Sequence, residues 1–191
     1  MRDVSGEAQA LLRRHGRDEV AEHVARVAAL ARRIAARDGV AEEPVLTAAW
    51  LHDISQVLPP EAMPAAALKY GIDLLPEERQ APGLIHQKLS SVFAERLFGV
   101  SDPAVLAAIR CHTTLRSGAT LLDKALFAAD KLAWDPKDAP YQPEMAAALA
   151  ESTEQAVWCW FRWTWERRDQ MQVIHPWLRA AFEDLSRRHS P

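Results

Sequence analysis

Apolar positions recur at three- and four-residue spacing along most of the chain. Val20, His23/Val24, Val27, Leu30/Ala31 and Ile34 form one such stripe, the pattern of an amphipathic helix. Gly39 marks its end, since glycine is favoured just past a helix C-terminus. A second helix starts at about Pro44, a residue suited to a first turn, and stops before Pro59-Pro60. A short helix follows over about residues 61–70 and is stopped by Gly71. A loop through Pro76 and Pro82-Gly83 leads to a helix over about residues 84–98, with His86 in its first turn. Asp102-Pro103 opens the next helix, which ends around Cys111-His112. Thr120, with Asp123 three residues on, resembles a capping box and opens a helix through Phe127, Ala129 and Asp130. A proline-rich loop from Asp135-Pro136 to Pro143 precedes a long helix over about residues 144–170 and a last one from Pro176 to Arg188. No run alternates as a strand would, and no repeat or linker divides the sequence. The pattern predicts an all-α fold with residues 1–191 in a single domain and C-terminal helices over about 144–188.

Bulk properties sharpen this picture modestly. A chain of 191 residues and 21.4 kDa, 49% hydrophobic, suits one domain with one substantial core. The formal charge of −3 and pI near 6.2 argue against a general nucleic-acid coat protein, although scattered arginines allow local anion pockets. The two cysteines, Cys111 and Cys159, are too few for a disulfide framework and read as small core residues. The segment Met1 to Glu7 carries no apolar signal, and no stretch has the length of a membrane span. The expectation is a cytoplasmic, membrane-free setting.

The chemistry is carried by polar residues in apolar runs. His52-Asp53 lies within Ala48-Ala49-Trp50-Leu51-His52-Asp53-Ile54, where an ionisable group is costly unless it is paired or holds a metal. His23, His86, His112 and Asp130 have similar settings. A lone histidine of this kind is ordinarily a satisfied core residue; four with two aspartates point to a metal site. Imidazole suits iron, zinc, copper and nickel, and a carboxylate can bridge two ions. On a helix, residues 52 and 53 point about 100° apart, so His52 can serve one ion while Asp53 spans to a second. Two ions about 3.5–4 Å apart can hold a hydroxide and grip phosphate oxygens.

The order His23, His52-Asp53, His86, His112, Asp130 resembles the HD superfamily of metal-dependent phosphohydrolases in its two-metal form. The resemblance is nearest to the YqeK-like branch, similar to symmetrical bis(5′-nucleosyl)-tetraphosphatases. It is carried by His23-Val24-Ala25-Arg26-Val27, Leu51-His52-Asp53-Ile54, Ile85-His86, the segment Ala107 to Thr114, and the segment Leu122 to Asp130, within about residues 18–134. The resemblance implies an HD-type helical bundle with an additional C-terminal helical segment. It implies that His23, His52, Asp53 and Asp130 hold one iron-like ion and that Asp53, His86 and His112 hold a second, with Asp53 bridging. A hydroxide between the ions would attack phosphorus in a nucleotide phosphoanhydride such as diadenosine tetraphosphate, releasing two ADP. Iron leads, and manganese, cobalt, nickel or zinc would also suit these ligands.

The sequence also departs from that branch. Gln56 stands where a lysine is usual, and Leu115 stands where glycine follows His-Thr-Thr. The run Lys131-Leu132-Ala133-Trp134-Asp135 replaces an acidic-proline-arginine signature, and no glycine closely follows His86. These changes touch substrate recognition, so the nucleotide stays open. Another nucleotide phosphomonoesterase, an HD-type di-iron oxygenase and a non-catalytic regulatory domain are the alternative readings.

Lys88, Arg116 and Lys131 are candidates, with Asp53, for catalytic roles: phosphate binding or stabilisation of transition-state charge. The competing reading is a solvated surface position. Arg26, one turn beyond His23, either orients a ligand, contacts substrate or forms a surface ion pair. Trp158, Phe161 and Trp165 make one stripe and Trp160 and Trp163 another. Core or homodimer packing leads there, with base stacking as the alternative. His15, His175 and His189 are assigned no role.

Overall fold

A computed structural model describes residues 3–134 and 139–189. Among these residues the secondary structure is helical, with no strand. Helix α1 (Val4–Arg14) was not expected from periodicity, but Asp3 caps it by accepting from the Gly6 N–H at 3.0 Å. Helix α2 (Asp18–Asp38) is the predicted long amphipathic helix. It ends at Gly39, whose φ of +70° is the left-handed turn that glycine adopts at little cost.

Helix α3 (Glu42–Leu51) has Pro44 in its first turn and ends just before His52. A 3-10 turn, Ile54–Val57, follows, and then α4 (Met63–Lys69). The stretch expected to be a loop contains α5 (Pro76–Gln80) and a 3-10 turn, Pro82–Ile85. Both begin with proline, which a first helical turn tolerates because its N–H would lack a partner anyway. Next come α6 (His86–Phe98), α7 (Pro103–Cys111) and α8 (Leu121–Leu132). The Thr120/Asp123 box closes reciprocally at α8: Asp123 N–H donates to Thr120 Oγ1 at 3.2 Å and Thr120 N–H to Asp123 Oδ2 at 2.9 Å.

Part of the proline-rich loop lies outside the described residues. The single long helix expected beyond it is two helices, α9 (Gln142–Glu151) and α10 (Thr153–Glu166). Ser152 separates them with an extended backbone, and its side chain accepts from the Gln155 N–H at 3.0 Å. Ser-x-x-Gln is a cap signature within an apolar period; here the cap outweighs the period. Helix α11 (Pro176–His189) closes the chain.

The packing centre is α8, which α2, α3, α7, α9 and α10 surround. Its residues from Asp123 to Lys131 are all buried, and Phe127 is fully enclosed. Burial of a side chain that size stabilises by about 1.5–3 kcal/mol. The aromatic faces of α10 meet other parts of the same chain. Trp160 packs edge-on against Phe127 at 5.0 Å, and Trp165 stacks on Phe182 of α11 at 4.1 Å. Trp158 stacks on Phe182 and on His189. These tryptophans thus pack against the core of the same chain while remaining partly exposed. Both cysteines are buried and free, and burial pushes their thiols up to about 12 and about 11.

Candidate metal centre

Five segments converge on one point. His23 comes from α2, and His52-Asp53 from the residues just past α3. His86 opens α6, His112 follows α7, and Asp130 lies in the last turn of α8. Three imidazoles are oriented in the same local way. His52 Nδ1 bonds the Ala49 carbonyl at 2.8 Å, His86 Nδ1 that of Gly83 at 2.5 Å, and His112 Nδ1 that of Ile109 at 2.8 Å. Each partner lies three residues earlier, where a helix end or 3-10 turn leaves a carbonyl within reach. A carbonyl only accepts, so each Nδ1 carries a proton and each ring, in its neutral form, presents its Nε2 lone pair.

Those lone pairs face the two oxygens of Asp53. On one side, Asp53 Oδ2 lies 3.5 Å from His52 Nε2 and 3.9 Å from His23 Nε2. Asp130 Oδ1 joins this group at 3.0 Å from His23 and 3.7 Å from His52. On the other side, Asp53 Oδ1 lies 3.3 Å from His86 Nε2 and 3.5 Å from His112 Nε2. The Nε2 atoms of His86 and His112 are 2.9 Å apart. Two lone pairs at that distance repel unless a cation or proton lies between them. His52 Nε2 and Asp53 Oδ1 are buried with no hydrogen-bond partner. Unsatisfied buried donors and acceptors are costly, whereas ligands about 2.0–2.2 Å from an ion sit near one another at these separations. The donor set therefore fits metal ions: the donor atoms of His23, His52 and Asp130 lie within 4.8 Å of one another, as do those of His52, Asp53 and His112.

The electrostatics favour the metal-binding forms of Asp53, Asp130, His52 and His112. Burial alone would raise the Asp53 carboxyl, but His52, His112 and His86 outweigh it and hold it well below the usual range. Asp130 is likewise low, because Lys131, His23 and His52 overcome its burial. Burial lowers His52, and it lowers His112 to about 4 despite the adjacent Asp53. Neutral imidazole and ionised carboxylate are the metal-binding forms.

A cavity of about 220 Å³ opens onto this cluster, bordered by Gln56, Thr113, Lys131 and Trp134. Thr113 Oγ1 lies 3.1 Å from His86 Nε2 and can donate to it. Lys131 Nζ contacts Asp130 Oδ2 at 2.7 Å, leaving Oδ1 to the ligand cluster.

Two proposed catalytic residues are engaged elsewhere. Lys88 points away from the cluster into a buried pair with Glu78 Oε2 at 2.7 Å, and it donates to the Asp73 carbonyl at 3.1 Å. Glu78 also meets His175 Nε2 at 3.3 Å, giving that unassigned histidine a structural partner. Arg116 forks onto Asp123 Oδ2 at 2.9 and 2.8 Å and borders no part of the metal cavity. A short flexible reach in sequence said nothing of these carboxylates, which are the nearest buried counter-charges. Arg26 uses Nε to bond the Ala133 carbonyl at 3.2 Å. Trp134 was missed as a site residue; its place one helical turn after Asp130 was the available signal. Glu78 and His175 are 97 residues apart, and nothing local links them.

Leu115 occupies the position where glycine is usual and has φ +57°. The left-handed conformation costs about 1–2 kcal/mol for a residue with a Cβ, and complete burial of the leucine side chain offsets it.

Comparison with known proteins agrees with this geometry. The HD domain family matches residues 20–135. An uncharacterized protein in pepC 5′region from Lactococcus lactis subsp. cremoris is 38% identical over 147 residues, 76% of this chain and 74% of that one. A symmetrical bis(5′-nucleosyl)-tetraphosphatase of Bacillus subtilis (strain 168) is 35% identical over 99 residues, covering 51% of this chain and 52% of the relative. The crystal structure of a predicted HD superfamily hydrolase involved in NAD metabolism from Clostridium acetobutylicum superposes with a TM-score of 0.86. Its identity is 25%, and the alignment covers 96% of this chain and 97% of that one. The matched span contains all six clustered side chains, and the shared architecture extends through the C-terminal helices: the chain belongs to the HD domain family, among the HD-superfamily hydrolases.

Proposed function

We propose that this protein is a two-metal phosphohydrolase that cleaves a phosphoanhydride of a nucleotide, with a dinucleoside tetraphosphate such as diadenosine tetraphosphate as substrate and two nucleoside diphosphates as products. One observation carries the reading. The buried carboxylate of Asp53 presents one oxygen to His23, His52 and the Asp130 side of the cluster, and the other to His86 and His112. The relative in Bacillus subtilis supports the substrate choice. Mixed imidazole and carboxylate ligands suit iron first, with manganese, cobalt, nickel and zinc as further candidates.

When bound, such cations would lower the pKa of a coordinated water to about 7 and would neutralise phosphate oxygens. The protein supplies the rest. The backbone carbonyls of Ala49, Gly83 and Ile109 hold three rings in register, and Thr113 steadies the edge of His86. Lys131 occupies Asp130 Oδ2 and places positive charge at the cavity wall, where charge develops on the transferred phosphoryl group. Lys131 therefore carries the role first divided among Lys88, Arg116 and Lys131.

The test is elemental analysis of fresh protein followed by a nucleotide panel with product identification. About two equivalents of metal and two ADP from diadenosine tetraphosphate are expected. His52→Ala should lose metal and turnover together. Turnover that survives in His52→Ala, or metal-loaded protein inert across the panel, overturns the proposal.

A further inference from the structure

We infer that the groove running from the metal cavity along α2 is a nucleoside subsite, in which Arg26 meets a phosphate, Trp134 stacks on the base and Arg33 closes the far end. This rests on the proposed nucleotide chemistry and adds where the nucleoside half of the substrate lies. The groove is continuous with the metal centre. The metal cavity shares Asp53, Gln56 and Trp134 with a neighbouring hollow of about 510 Å³ that also takes in His23 and Arg26. That hollow in turn shares Arg26 and Trp134 with a groove of about 540 Å³, bordered further by Leu30, Arg33, Leu132 and Gln142.

His23, Arg26, Leu30 and Arg33 repeat at three- and four-residue spacing and so lie along one face of α2. The rise from His23 to Arg33 is about 15 Å. Among the described residues, no carboxylate borders the groove, and none pairs with Arg26 or Arg33. Arg26 spends Nε on the Ala133 carbonyl, and its terminal nitrogens, like the guanidinium of Arg33, have no carboxylate partner among the described residues, so they can bond phosphate oxygens. Glu19 and Glu22 lie on α2 two turns and one turn before Arg26 and border the intervening hollow, so the carboxylates sit at its near end and the guanidinium groups further along the helix.

Trp134 is 50% exposed, yet its backbone is tied down. Gln142 Nε2 contacts the carbonyls of Lys131, Leu132 and Trp134 at 3.1, 3.2 and 2.9 Å, and Arg26 Nε holds that of Ala133. The indole lies 5.6 Å from the His23 ring. A large apolar ring fixed at the mouth of a metal site, with an open face, is a stacking platform that any base can use. This tryptophan lies in the segment that replaces the acidic-proline-arginine signature.

The test is calorimetric binding of ADP, adenosine and inorganic tripolyphosphate to metal-loaded protein, with nucleotide KM and kcat measured alongside. Trp134→Ala should weaken ADP about tenfold and leave tripolyphosphate unchanged, and Trp134→Phe should restore most of the loss. Arg33→Gln should weaken ADP with little change in stability, since among the described residues no carboxylate pairs with its side chain. Arg26→Gln should weaken both ADP and tripolyphosphate. Wild-type protein that binds ADP no better than tripolyphosphate, or Trp134→Ala and Arg33→Gln variants with wild-type ADP affinity, would overturn the inference. Turnover with unchanged KM in those variants removes the groove and leaves the proposed function standing. ADP bound in the groove of a protein that hydrolyses no nucleotide does the reverse.

Discussion

Replacing Lys88 by methionine separates a structural role from a catalytic one. Glu78 and Lys88 are both buried, and Lys88 Nζ is 2.7 Å from Glu78 Oε2. In the variant the carboxylate keeps only the Leu75 N–H at 2.9 Å and His175 at 3.3 Å. Leaving a buried charge without its counter-ion costs about 3–5 kcal/mol. For a chain of this length, that lowers Tm by about 6–20 °C. Adding Glu78→Gln to Lys88→Met removes the uncompensated charge and should recover part of the loss.

The effect should also depend on pH. Burial alone would raise the Glu78 carboxyl, but His175, Lys88 and the Leu75 N–H outweigh it and hold it below its ordinary value. The wild-type contribution is therefore present above the unfolded value of about 4.3 and is lost as pH falls through the lower folded value. Without Lys88, burial dominates and Glu78 takes up a proton more readily in the folded state. The stability gap should narrow between about pH 7 and about pH 4. Thermal unfolding across that range measures it, and kcat at 25 °C on folded variant should stay near wild type. A loss below about 1 kcal/mol, as for a solvent-screened pair, would refute the reasoning. So would lost turnover in a variant of full stability.

Three further outcomes are expected. Asp53→Asn removes the carboxylate facing both ligand groups and should reduce bound metal from about two equivalents to one or none, read by elemental analysis with helicity checked by circular dichroism. Leu115→Gly relieves about 1–2 kcal/mol of left-handed strain but opens a cavity costing about 2–5 kcal/mol. The variant should therefore be the less stable in urea, and an increase in stability would contradict the packing described. Ser152→Ala removes the α10 cap and should cost about 1 kcal/mol, seen as a lower urea midpoint with an unchanged slope.

Most of the helices and the six clustered side chains were legible in the chain because both signals are local, whereas α1 and the short α5 were not. A period near 3.6 residues marks a buried face whatever it packs against, and His52, His112 and Asp130 stand out as ionisable groups in apolar runs. The reciprocal Thr120/Asp123 box is a short-range bond and was read correctly for the same reason. The break at Ser152 was available in the same way, but apolar spacing masked it. Tertiary packing decided which oxygen of Asp53 faces which imidazoles, because that depends on how α2, α3, α6, α7 and α8 cross. It also decided the direction of Lys88: a long flexible side chain ends at the nearest buried counter-charge, and Glu78 sits on a different helix. Trp134 reached the cavity mouth by the same logic, held by Gln142 and Arg26 through contacts that no spacing along the chain encodes.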